Sequence, residues 1–292
     1  MTPKPLFYGC GTALVTPFRG GKVDYDAYAA LVDRQVAAGV NFLVALATTG
    51  ETPTLSADEK IRLLQITREH AAGLPVLVGC GTNSVPGTIA NMELLAPYGA
   101  DAWLVVVPYY NKPTQEGMYR YFKAIAEAAD KPIVLYNVPG RTGANMQAET
   151  CLRIAREVPG VIATKEASGK VDQVAAILKD APEGFSVISG DDDITLEIME
   201  KGAVGVISVA SNVDPARVSK MTSLALDGKW EQAREVDKAL KPLYKACFVE
   251  SSPIPAKAAL NLMGLCSNEM RLPLVEASQS TVDLMAELIQ GV

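Results

Sequence analysis

One lysine in this chain is placed to do chemistry. The stretch Val161-Ile-Ala-Thr-Lys-Glu-Ala-Ser-Gly169 begins as a short apolar run after Pro159-Gly160 and ends that run on Lys165. A run of this composition reads as a buried strand, with Lys165 where it leaves the core. A lysine there must find a partner, snorkel to water or shed its proton easily. Two readings stand at this point. In one, Lys165 is a snorkelling loop residue. In the other, it is an amine of lowered pKa that attacks carbonyls and forms a Schiff base. The only histidine, His70, lies in Arg68-Glu-His-Ala-Ala-Gly73, which has the pattern of an exposed helix end. A Ser-His-Asp triad or a multi-histidine metal site is hard to build from it. Proton transfer then falls to tyrosine, lysine, carboxylate or the substrate.

The elements that must position Lys165 follow a regular beat. Apolar runs at Thr12–Val15, Phe42–Leu46, Val76–Val78, Ala102–Val107, Ile133–Tyr136, Val161–Thr164, Phe185–Ser189 and Val204–Val209 alternate with amphipathic segments. Asp24 is a good N-cap for a helix over Tyr25–Ala38, and Ser56-Ala-Asp-Glu59 is a capping box for a helix running to Ala72. Further helices are expected over Ser84–Tyr98, Thr114–Ala129, Gln147–Val158, Lys170–Lys179, Ile194–Lys201 and Pro215–Leu226. Eight strands alternating with helices require parallel pairing, and their continuous apolar runs require cover on both faces. The expected fold is α/β, a closed (β/α)8 TIM barrel over residues 1–226. A doubly wound sheet is the runner-up, but its dinucleotide fingerprint is absent. After Leu226 the beat stops. Trp230–Cys247, Ile254–Met263 and Leu274–Ile289 read as helices of a C-terminal extension over residues 227–292, docked tightly because no linker marks the join.

In such barrels the chemistry sits at the C-terminal ends of the strands. Those ends carry Thr48-Thr-Gly-Glu-Thr52, Pro108-Tyr-Tyr-Asn111, Tyr136-Asn-Val-Pro-Gly-Arg-Thr-Gly143, Lys165 and Ser189-Gly-Asp-Asp-Asp193. Each has a plain alternative: turn caps for Thr48 and Thr49, packing for the tyrosines, a surface charge for Arg141. For Asp191–Asp193 the favoured reading is a helix cap. Glu51 reads as a buried partner of loop backbone. Converging on one mouth, the set suits imine chemistry on a keto acid. The amine attacks the ketone, a phenol shuttles protons, amides after Thr48 hold a carboxylate, and Arg141 grips a second carboxylate in a fork. A protonated imine is itself the electron sink, so no metal or cofactor is called for.

These motifs, with Phe248-Val-Glu and Pro253-Ile-Pro255, resemble those of the pyruvate-dependent class I aldolase family from about Thr12 to Met263. The resemblance implies that Lys165 forms the Schiff base with pyruvate and that Tyr136 is the proton donor and acceptor. Tyr136 would act in a relay with Thr48 and with Tyr110, which enters the site from a neighbouring subunit. It implies that Thr49 binds the pyruvate carboxylate, that the backbone at Ile207 and Gly190 completes that pocket, and that Arg141 receives L-aspartate 4-semialdehyde. It also implies a homo-oligomer, at least a tight dimer and commonly a tetramer, working in lysine and diaminopimelate biosynthesis. Sibling activities within the family are N-acetylneuraminate lyase and 2-keto-3-deoxy-sugar-acid aldolase. Arg141, five residues after Tyr136, and the Tyr109-Tyr110 pair favour the short charged semialdehyde. A barrel that has lost catalysis would be expected to lack the lysine or the tyrosine. Family members inhibited by lysine carry histidine and glutamate where this chain is expected to have Ala57, Lys60 and Gly87, while Thr52, Asn83 and Tyr109 remain. Weak or absent feedback is therefore expected.

Composition sets the outer limits. The 292 residues are 49% hydrophobic and 21% charged, with a net charge of −6, which fits a globular protein rather than a disordered one and disfavours nucleic acid or an anionic membrane as partner. The N-terminal stretch has no apolar signal core. Five scattered cysteines without a C-x-x-C pair fit reduced thiols in a cytoplasm, and Cys80 reads as a small buried thiol.

Overall fold

The computed structural model describes residues 4–291. Eight parallel strands close into a barrel in the order β1-β10-β9-β8-β7-β6-β5-β4. These are β1 (Gly9–Ala13), β4 (Phe42–Ala45), β5 (Val76–Gly79), β6 (Ala102–Val106), β7 (Ile133–Asn137), β8 (Val161–Glu166), β9 (Ser186–Ser189) and β10 (Gly205–Ser208). All eight expected strands are present, with ends shifted by up to three residues. A short antiparallel hairpin, β2 (Phe18–Arg19) with β3 (Lys22–Val23), is an addition, because two-residue strands leave no periodicity to read.

Side-chain alternation along the strands divides the apolar interior in two. One cluster fills the barrel itself and includes Phe7, Phe42, Leu77, Leu104, Val134, Tyr136, Ala163, Ile188 and Ile207. Phe7 packs edge-on against Phe42 at 5.2 Å between ring centres. The larger cluster lies between the strands' outer faces and the helices.

The helices begin where side chains satisfy their free amides. α1 (Tyr25–Ala37) starts at Asp24, which accepts from Ala27 N. α2 (Ala57–His70) opens on the reciprocal capping box of Ser56 and Glu59. Ser84 caps α3 (Val85–Leu95) and Thr114 caps α4 (Gln115–Ala128) in the same way. A single turn, α5 (Pro139–Thr142), follows β7; α6 (Ala148–Glu157), α7 (Val171–Asp180), α8 (Thr195–Glu200) and α9 (Pro215–Leu226) complete the ring.

Three further helices follow: α10 (Trp230–Ala246), α11 (Ile254–Leu262) and α12 (Gln279–Leu288). Leu240, Leu243, Tyr244 and Met285 join the cluster that covers the barrel's outer face. Each such side chain contributes about 1.5–3 kcal/mol by leaving water. The last helix is shorter than expected. It begins at Gln279 because Glu250 binds the backbone and hydroxyl of Ser278, which ends the non-helical stretch over 274–278.

Candidate active site

Lys165 lies inside β8 and not on the loop beyond it, because the strand runs on to Glu166. Period-two alternation turns Ala163 and Lys165 toward the barrel interior and Thr164 and Glu166 toward the helices. Lys165 is 5% exposed, which removes the snorkelling reading. It is paired in register with Tyr136 on β7, and its Nζ stands 4.3 Å from the centre of the Tyr136 ring. No carboxylate lies within ion-pair distance of that nitrogen among the described residues.

Two adjoining cavities open at this end of the barrel. One, of about 310 Å³, is lined by Lys165 and Tyr136 with Thr48, Thr49, Arg141, Gly190 and others. The second, of about 350 Å³, shares Thr48, Tyr136, Val138 and Arg141 with the first and extends past Thr52, Lys60 and Tyr109. Thr48 and Thr49 begin a 3-10 turn whose later amides are used internally, Gly50 N to Ala47 O and Glu51 N to Thr48 O. The amides of Thr48 and Thr49 themselves donate to no acceptor among the described residues. They are a ready donor pair for a carboxylate.

Arg141 stands on α5 at the rim shared by the two cavities, exposed, with Nη2 3.4 Å from the Ser252 carbonyl. Three expected residues sit differently. Tyr110 is 86% exposed, lines neither cavity, and has a left-handed backbone at φ 70°, so the relay with Thr48 and Tyr136 is not closed within one chain. Ile207 packs in the barrel interior and lines neither cavity. Gly190 lines the cavity, but its amide donates to Glu166 O at 2.7 Å and is not free for a carboxylate. Its part is steric: a Cβ at position 190 would lie 2.9 Å from Lys165 Cε and 2.7 Å from Ala167 Cβ.

The acidic run divides its work. Asp191 accepts from Asp193 N and so caps the turn that follows β9. Asp192 is buried and accepts from Val209 N and Ala210 N, joining this turn to the one after β10. Burial pushes both carboxyls above their ordinary range. Asp193 pairs with Lys241.

Sequence reasoning missed two buried groups. Lys257 on α11 is fully buried and donates to Glu51 Oε1 at 2.8 Å, Thr16 O at 3.0 Å and Glu269 O at 2.6 Å. Burial lowers its pKa, and Glu51 opposes that shift. Glu51 also accepts from Arg271 N, so it is an ion-pair partner as well as a partner of backbone. Glu166, beside Lys165, is fully buried and held by Asn137, Ser168 and Gln173, with its carboxyl pushed up by burial. Its sequence signal was only its place in Lys165-Glu-Ala-Ser-Gly. The α10 side of the cavity adds Tyr244, Lys245 and Phe248. All five cysteines are free and buried, Cys80 with its thiol pushed far up by burial.

A closed (β/α)8 barrel with one buried amine set against a phenol at its strand ends has the architecture of enzymes that act on small carbonyl compounds. The chain belongs to the dihydrodipicolinate synthetase family, whose model matches residues 6–291. It is 48% identical over 289 residues to the 4-hydroxy-tetrahydrodipicolinate synthase of Thermotoga neapolitana, with 98% of each chain covered. Among solved structures it is similar to dihydrodipicolinate synthase from Thermotoga maritima, with a TM-score of 0.96 and 48% identity over 97% of this chain and 98% of that one. It is equally similar in fold to a monomeric dihydrodipicolinate synthase variant, with a TM-score of 0.96 and 47% identity over 97% of this chain and 96% of that one.

Proposed function

We propose that this protein is a Schiff-base-forming lyase that condenses pyruvate with L-aspartate 4-semialdehyde to 4-hydroxy-tetrahydrodipicolinate, in lysine and diaminopimelate biosynthesis. The observation that carries the reading is the buried Lys165 nitrogen over the Tyr136 ring in a chain that matches such synthases along nearly its whole length. Lys165 attacks the ketone carbon as the free amine. Tyr136 passes the proton that turns the carbinolamine oxygen into departing water, leaving the imine. Loss of a proton from the pyruvate methyl group gives the enamine. Its carbon attacks the aldehyde, a carbon–carbon bond forms, and the new alkoxide is protonated. The amino group of the semialdehyde then attacks the imine carbon, closes the ring and releases Lys165 as the amine.

The unbonded Thr48 and Thr49 amides support a seat for the pyruvate carboxylate there. The exposed guanidinium of Arg141 at the rim supports a role on the semialdehyde carboxylate. Tyr110, a phenol 86% exposed on a left-handed backbone, supports a homo-oligomer in which it serves a neighbouring subunit, at least a dimer; a tetramer rests on the family resemblance alone. The five free cysteines support a reducing cytoplasm as the place of work. No helix among the described residues is long and apolar enough to cross a membrane.

The test is borohydride reduction with pyruvate followed by mass spectrometry. The adduct is expected on Lys165 and absent in Lys165→Ala. An adduct elsewhere, or none, overturns the reading. In the coupled assay, Arg141→Ala is expected to harm use of the semialdehyde and spare adduct formation. A sialic-acid cleavage assay run beside it distinguishes the sibling aldolase.

A further inference from the structure

We propose that Asn137 and Glu166 are a positioning pair, locking the two strands that carry Tyr136 and Lys165 into the register the imine chemistry needs. The inference rests on the function proposed above and names residues outside the cavity that control it. β7 and β8 pair Tyr136 with Lys165 and, one step on, Asn137 with Glu166. The first pair faces into the barrel and the second faces the helices. Register between these strands is broken lower down. Ile133 pairs with Val161 but Val134 pairs with Ala163, so Ile162 is an extra residue on β8. Such an irregularity leaves the facing of the next residues to be fixed again further along, because a slip of one residue turns every side chain to the other face.

Asn137 and Glu166 supply that fixing at the strand ends. Asn137 Nδ2 donates to both carboxylate oxygens of Glu166, at 3.0 and 3.1 Å. Ser168 N donates to the same carboxylate at 2.9 Å and Gln173 Nε2 at 3.4 Å. Asn137 Oδ1 accepts from Met146 N at 3.0 Å, which ties in the segment after Arg141. Both residues are fully buried, and neither lines either of the two cavities at this end of the barrel. They cannot touch substrate, so they act through the residues beside them. A buried carboxylate that loses one donor leaves the rest of its network unsatisfied, and strand positions move to compensate. Small displacements of reacting groups are costly in rate, up to about 10²-fold for 1 Å.

The experiment measures the rate of borohydride-trappable pyruvate adduct formation, with its pH profile, in Glu166→Gln, Asn137→Asp and the double variant carrying both. Each single change conserves volume but sets two donors or two acceptors against each other. The double variant restores one donor facing one acceptor. Folding is checked by circular dichroism at 25 °C. The singles are expected to slow adduct formation about 10-fold or more, and the double variant is expected to recover most of that loss. A merely structural pair would lower the melting temperature and leave the rate and pH profile of the folded enzyme alone. Folded singles within about twofold of wild type overturn the proposal. So does a double variant as slow as the singles, or a pair of singles that do not fold at all. Wild-type protein that traps no pyruvate would instead remove the function itself.

Discussion

A single methyl group at position 190 is expected to disable Lys165 without altering its amine. The Cβ of Gly190→Ala would meet Lys165 Cε at 2.9 Å and Ala167 Cβ at 2.7 Å, distances that force one of them to move. Overpacking of this kind costs about 1–3 kcal/mol of stability. The effect on adduct formation should be larger, on the order of 10²-fold, because the nitrogen leaves its place over Tyr136. Adduct formation slowed to that extent in a protein that still melts cooperatively is the expected pair of results; an unchanged rate would mean that Lys165 has room to spare. Two lysines show what was legible at this scale and what was not. Lys165 was found because an apolar run leads into it and its motif neighbours lie close in sequence. Lys257, in Ile254-Pro-Ala-Lys-Ala-Ala-Leu, looks like any helix lysine. Its buried partner Glu51 is 206 positions away, and only the folded chain brings them together.

Between elements, the C-terminal segment clamps the loop that carries Thr48 and Thr49. Glu51, at a left-handed φ of 53°, takes Lys257 on one oxygen and Arg271 N on the other. Removing one member of a buried pair strands the other charge, so Lys257→Met is expected to cost about 3–5 kcal/mol in denaturant unfolding. Adding Glu51→Gln should return much of that loss while leaving pyruvate binding weakened, since the loop loses its anchor. A double variant with unaltered pyruvate KM would show that the clamp serves stability alone. Arg271 closes a second contact, on Glu59 at the first turn of α2, and its guanidinium holds the Glu59 carboxyl below the ordinary carboxylate range. The sign follows directly. The contribution is complete above the unfolded value near 4.5 and is lost as pH falls through the lower folded value. Wild type should therefore lose more stability than Glu59→Gln as pH drops below about 4.5, measured by urea unfolding at stepped pH. The capping box that starts α2 was readable because its two residues are three apart. The Arg271 contact on the same glutamate was not, because it spans 212 positions. The eight strands were readable for the same local reason, as continuous apolar runs covered on both faces. The start of α12 was misplaced because Glu250, far back in the chain, decides it.

At the scale of the whole molecule, the exposed Tyr109-Tyr110 corner and the cavity behind it raise two expectations. The larger cavity is walled by Thr52, Lys60 and Tyr109, and burial lowers the Lys60 pKa. A cationic amino acid there would meet the cations of Lys60 and Arg141 and no carboxylate among the lining residues. Leaving its ammonium unpaired costs about 1–3 kcal/mol, so sub-millimolar lysine should leave the initial rate unchanged, and half-inhibition in that range would overturn this expectation. Tyr110 raises the larger question. A phenol 86% exposed on a left-handed backbone is held in place at a cost of about 1–3 kcal/mol, yet it reaches neither cavity of its own chain. If the partner subunit's Tyr110 completes each site, two crippled proteins should repair one another. Lys165→Ala alone is expected to be inactive and Tyr110→Phe alone to be slow. In a hybrid dimer, the Lys165→Ala subunit lends its intact phenol to the site that still holds Lys165. Mixing the two under conditions that exchange subunits should then raise activity above the sum of the separate proteins, toward half of the wild-type rate per hybrid dimer. A phenol acting within its own chain gives no such gain, since no subunit in the mixture carries both groups. Activity that stays at the sum, with hybrids confirmed by native mass spectrometry, would confine Tyr110 to its own subunit and remove the argument that each site needs its neighbour.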